Sequence, residues 1–116
     1  EDVGAGMSVA WEDYDLDGDL DLYVGNMLSS AGRRVTGTPD YKQASPELQK
    51  LYRRHARGNS LFRNRGDGTF EDVSEATRAY FGRWAWSSGF VDFNLDGRED
   101  IFVQNGFISN ARKDDL

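Results

Sequence analysis

A fourteen-residue segment occurs twice in this chain. Asp13-Tyr-Asp-Leu-Asp-Gly-Asp-Leu-Asp-Leu-Tyr-Val-Gly-Asn26 aligns with Asp92-Phe-Asn-Leu-Asp-Gly-Arg-Glu-Asp-Ile-Phe-Val-Gln-Asn105 at an offset of 79, with seven identities and four close exchanges. A repeated unit of this kind constrains the fold to like pieces packed on one another. The flanks of each copy read as strands. Met7 to Glu12 alternates large apolar with small or polar residues, and Leu20, Leu22 and Val24 fall on one face opposite Asp21 and Tyr23. Ser88 to Val91 and Ile101 to Val103 repeat the pattern around the second copy. Each copy is therefore expected to be a hairpin closed by a nine-residue acidic loop, over residues 7–28 and 84–107.

Between the copies, residues 59–74 form a second hairpin in which Gly66-Asp67-Gly68 supplies the positive-φ positions of a tight turn. Residues 29–58 are read as an insertion, with a long loop from Ser29 to Tyr41 followed by a helix. Ser45 suits the N-cap, Pro46 the first turn and Gly58 the stop. Leu48, Leu51, Tyr52 and His55 share the face expected to be buried, with Lys50, Arg53, Arg54 and Arg57 outside it.

The acidic loops carry the chemistry. Asp13, Asp15 and Asp17 stand at alternate positions, so a curling backbone brings their carboxylates toward one point, and Gly18 permits the sharp turn. The seventh position, Asp19 in one copy and Arg98 in the other, varies as a backbone-carbonyl ligand would; Asp21 closes the loop. The second loop offers Asp92, Asn94, Asp96, the Arg98 carbonyl and Asp100. Several oxygen donors on a flexible loop suit calcium better than magnesium, so two Ca2+ ions are expected. The second loop has one fewer carboxylate and should bind more weakly. An EF-hand is excluded, because its bidentate Glu at position twelve is replaced by Val24 and Val103, each inside an expected strand.

Composition narrows the alternatives. At 116 residues the chain is the size of one small domain, and its 38% apolar content makes for a modest core, expected to rest on Trp11, Trp84, Trp86 and Phe90. The net charge of −6 argues against nucleic acid as a partner, and the absence of cysteine excludes disulfides and thiolate metal sites. No apolar run is long enough for a membrane span, and the opening Glu1-Asp2-Val3 reads as that of a mature or excised piece.

DYDLDGDLDLYVGN and DFNLDGREDIFVQN, with NSLFRNRGDGTFEDVS between them, resemble FG-GAP/VCBS repeats, closest to the VCBS-type proteins related to cartilage acidic protein. The resemblance covers the chain apart from about residues 29–57. It implies a mainly β fold of antiparallel four-stranded propeller blades, about one and a half of them here, with a helical insertion and calcium in the first hairpin loop of each blade. Closed propellers need about four to eight blades. The resemblance therefore implies either further blades of a parent propeller or other protein chains as partners.

The function expected is a non-catalytic, extracellular or cell-surface calcium-binding module for adhesion, self-assembly or structural support. The alternative is an accessory propeller module of a secreted carbohydrate-active enzyme or lipase, with a glycan as partner. His55 is read as a packing residue, since no nucleophile accompanies it. Trp84 and Trp86 are read as packing rather than as a sugar platform, and the basic helix face, with Arg33 and Arg34, as solvated. Arg65-Gly66-Asp67 spells an adhesion tripeptide, but its place in a hairpin turn is explanation enough.

Overall fold

The computed structural model describes residues 4–27 and 38–105. Two antiparallel sheets dominate it. The first has four strands in the order β1 (Gly6–Glu12), β2 (Asp21–Asn26), β3 (Ser60–Asn64) and β4 (Phe70–Asp72); the second pairs β5 (Ala85–Val91) with β6 (Asp100–Asn105). Among the described residues the sheets form no closed propeller. Among the described residues, two helices lie between β2 and β3: α1 (Pro39–Gln43) and α2 (Pro46–His55). Neither is long and apolar enough to cross a membrane. Residues 28–37, most of the expected loop with Arg33 and Arg34, lie outside the described residues, as do 106–107 at the end of the second copy.

The sequence repeat is also a backbone repeat. A bulge interrupts β1 between Gly6 and Ser8, and another interrupts β5 between Ala85 and Ser87, again at the offset of 79. The sheets pack through β5 against β1 and β2. Ser8 Oγ lies 2.7 Å from Ser88 Oγ, and the Tyr23 and Phe90 rings meet edge to face with centroids 6.1 Å apart. Gly25 permits this approach, because a Cβ there would collide with Ser8 Oγ and stand 3.2 Å from the Ala85 Cβ.

The core differs from the one expected. Trp11 and Trp86 are half exposed, at 51% and 50%. Buried apolar volume comes instead from Tyr23, Leu61, Phe62, Val24, Tyr41 and Ala85. The reason is strand alternation: Ser8 faces β5, so Val9 and Trp11 point to the opposite face, where Trp11 meets Phe70 edge-on at 6.2 Å. The interior is also unusually polar, with Asp21, Asn26, Asn59, Ser60 and Ser74 all at 0% exposure.

The helical region departs from expectation twice. The end of the expected loop, residues 39–41, belongs to the helix Pro39–Gln43, with Thr38 as its N-cap and Pro39 in the first turn. Ser45 caps α2 through Leu48 N, as its sequence signature requires, but the apolar face of α2 is not buried. Leu48, Leu51 and Tyr52 are 44%, 50% and 40% exposed. The helix docks by its basic side instead. Arg54 reaches Asp72 at 2.8 Å, Ser60 Oγ at 3.1 Å and the Phe62 ring, while Arg57 donates to both Asp72 oxygens and to Ser74 Oγ. These two arginines are thus anchors to β4 rather than a solvated face.

Asp72 is the common acceptor of that docking. Burial pushes its carboxyl up, but the Ser74 hydroxyl and N–H, then Arg57 and Arg54, outweigh burial and hold it below the ordinary value of 3.8. A lowered folded-state value means that the bridge contributes fully above the unfolded value and is lost as pH falls through the lowered one. Asp72→Asn is expected to cost about 1–3 kcal/mol at neutral pH. Paired urea melts should show the gap between wild type and variant narrowing below about pH 4. A gap independent of pH would contradict the assignment.

Candidate metal centre

The first acidic loop is a turn that its own side chains hold open. Leu16 adopts φ 62° and Gly18 φ 94°, and Leu95 and Gly97 repeat this at 60° and 83° in the second loop. Asp13 spans the turn, its two oxygens accepting the N–H groups of Asp17 and Gly18, each at 2.9 Å. Asp17 Oδ1 accepts the N–H of Asp19 at 2.9 Å. Asp21, the first residue of β2, is fully buried and accepts from Tyr14 N at 3.3 Å and from Asn64 N at 2.7 Å.

This geometry brings one carboxylate oxygen each of Asp13, Asp15 and Asp21 within 4.8 Å of one another. Asp15 Oδ1 is buried and has no hydrogen-bond donor. Burial pushes the Asp21 carboxyl up, and Asp15 and Asp17 push it the same way. The backbone donors Asn64 and Tyr14 offset only part of this. Three converging acids, one with an unsatisfied buried oxygen, concentrate negative charge at one point of the loop. Asp17 and Asp19 stand outside that trio, and the Asp19 carboxylate lies against Gly66 of the β3–β4 turn.

The second loop copies the backbone pattern without the convergence. Asp92 accepts from Asp96 N at 3.1 Å and Gly97 N at 2.8 Å, Asp96 Oδ1 from Arg98 N at 2.9 Å, and Asp100 from Phe93 N at 3.3 Å. Asn94 is tied to Asp96, donating to its Oδ2 at 2.9 Å and accepting its N–H at 3.0 Å. Among the described residues, only the first loop gathers three carboxylates this closely. Asp100 is exposed where Asp21 is buried, since β6 has no counterpart of β3 beside it among those residues.

Arg65 and Asp67 are engaged within their own hairpin. Asp67 accepts from the N–H and hydroxyl of Thr69 at 2.9 and 2.6 Å, contacts that hold its carboxyl below the usual carboxylate range. Arg65 lies 3.3 Å from Glu71. His55 lines a shallow apolar groove with Leu48, Leu51 and Tyr52. Sequence reasoning missed Asn64, whose contact with Asp21 spans 43 positions and leaves no local signal.

No curated protein and no solved structure is significantly similar to this chain. A family model does match. Residues 51–103, from the second half of α2 through the second acidic loop into β6, are similar to the FG-GAP-like repeat that it describes.

Proposed function

We propose that this chain is a non-catalytic calcium-binding module whose first acidic loop is the principal site. The convergence of Asp13, Asp15 and Asp21 within 4.8 Å, with one buried Asp15 oxygen lacking a donor, carries this reading. Asp13, Asp15 and Asp21 would hold the ion, with Asp17 and the Asp19 carbonyl as the further ligands the loop spacing provides. Calcium would supply positive charge to carboxylates that otherwise repel, and so would stabilise the folded loop. The second loop, through Asp92, Asn94, Asp96, the Arg98 carbonyl and Asp100, would take a second ion.

The module would work outside the cell or on its surface, where calcium is abundant enough to fill loops of modest affinity. Its output would be structural: adhesion, self-assembly, or support of further blades in a larger propeller. The match over residues 51–103 favours a propeller-like setting, and this reading would place the chain among VCBS-type proteins related to cartilage acidic protein.

The two sites should be unequal. Calorimetric titration of Asp17→Ala, which leaves the second loop intact, and of Asp96→Ala, which leaves the first, is expected to show the first loop binding about tenfold tighter, from its extra carboxylate and converged geometry. Equal affinities would refute the assignment of the first loop as principal site.

A further inference from the structure

We infer that Asn64 is the positioning residue of the first acidic loop, coupling cation binding there to order in the β3–β4 turn. This rests on the calcium reading above. Asn64 touches the loop twice: its backbone N–H donates to Asp21 Oδ1 at 2.7 Å, and its side-chain Nδ2 donates to the Leu20 carbonyl at 3.1 Å. Its Oδ1 meanwhile accepts the Gly66 N–H at 3.1 Å, inside the turn. Gly66 has φ +69° and lies so close to Asp19 that a Cβ would stand 2.7 Å from Asp19 Oδ2. One residue thus ties the buried ligand Asp21, the backbone beside it and the turn of the neighbouring hairpin.

The second loop is the built-in comparison. It adopts the same backbone conformation and the same Asp92 contacts, yet among the described residues Asp100 receives the Phe93 N–H alone in place of the pair that Asp21 receives. The loop conformation therefore does not depend on the brace. What the brace adds is a fixed orientation for Asp21. Three like charges would otherwise turn away from one another before an ion arrives, and outer contacts that hold a ligand in place strengthen metal binding. Linkage then requires the reverse effect: an ion that holds Asp21 must also steady Asn64 and the turn it begins.

Two measurements test this. Asn64→Ala keeps the backbone N–H on Asp21 but removes the side-chain bonds to Leu20 and Gly66 that hold this N–H in place; titrated with calcium, it should lose about tenfold in first-loop affinity with the second loop unchanged. In the unaltered protein, amide hydrogen exchange at Asn64 and Gly66 should slow about tenfold on filling the first loop, by the reciprocity of the coupling. The second measurement stands even where Asn64→Ala fails to fold. Calcium uptake by the wild type with unchanged exchange at both amides would overturn the coupling and leave the calcium reading intact. No uptake by either loop would overturn both.

Discussion

Treatment with EDTA is expected to lower the melting temperature of this chain by about 10 °C or more. An ion present at a hundred times its dissociation constant stabilises the folded state by about 2.7 kcal/mol. For a domain of this size about 1 kcal/mol corresponds to about 4 °C. The first loop should account for most of the change, because there three carboxylates crowd within 4.8 Å and Asp15 Oδ1 has no donor of its own. Asp15→Asn, which gives the first loop the amide that Asn94 places in the second, should therefore cost about half of the stabilisation by calcium, as a tenfold weaker site would. Removing one carboxylate also relieves repulsion, so in EDTA the variant should melt no lower than the wild type. A wild type whose melting is indifferent to both calcium and EDTA would remove calcium as the organising element.

The second large effect is expected at Asn59, the hub of the polar interior. Its Oδ1 accepts the Asn26 N–H at 2.8 Å, and its Nδ2 donates to the Tyr23 hydroxyl at 2.7 Å and to the Phe81 carbonyl at 3.2 Å. Tyr23 in turn donates to the Ala79 carbonyl at 3.2 Å. Burial pushes the Tyr23 hydroxyl up to about 12, with Asn59 donation opposing it, so the phenol stays neutral and available as a donor. Asn59→Ala leaves the buried Asn26 N–H without this acceptor and the Tyr23 oxygen without this donor. The expected cost is about 3–4 kcal/mol. Against a typical total of about 5–15 kcal/mol, that leaves the fold marginal. Tyr23→Phe removes only the hydroxyl and should cost about 1–2 kcal/mol. Urea midpoints order the three proteins; an Asn59→Ala midpoint close to that of wild type would mean that the network is not the core's main constraint.

What the residues announced and what they concealed divide along a physical line. The paired hairpins, the Ser45 cap and the glycine turn at Gly66 and Gly68 were legible, because alternation, capping and positive φ are local properties. The burial of Trp11 and of the α2 apolar face was misjudged because amphipathicity tells which side is apolar, not what covers it. Arg54 and Arg57 looked like a solvent face until Asp72, brought near by the sheet, supplied their partner. The acidic residues of the loops could be named from spacing, whereas the selection of Asp13, Asp15 and Asp21 as the close trio depends on the burial of Asp21 beneath Asn64. That is a long-range contact with no short-range signature.

The polar interior also acts on the alignment of the strands. Leu22, Tyr23 and Val24 pair with Phe62, Leu61 and Ser60 across β2 and β3. Sliding one strand past the other by two residues would keep every side chain on its own face. With so few apolar side chains buried, hydrophobic contact alone would resist that slip weakly. The slip would, however, pull Asn26 and Tyr23 away from Asn59 and strand several buried polar groups at once. The amide network therefore serves as a gauge that admits a single alignment, and a chain with a small core keeps one native state through the cost of mismatched polar partners.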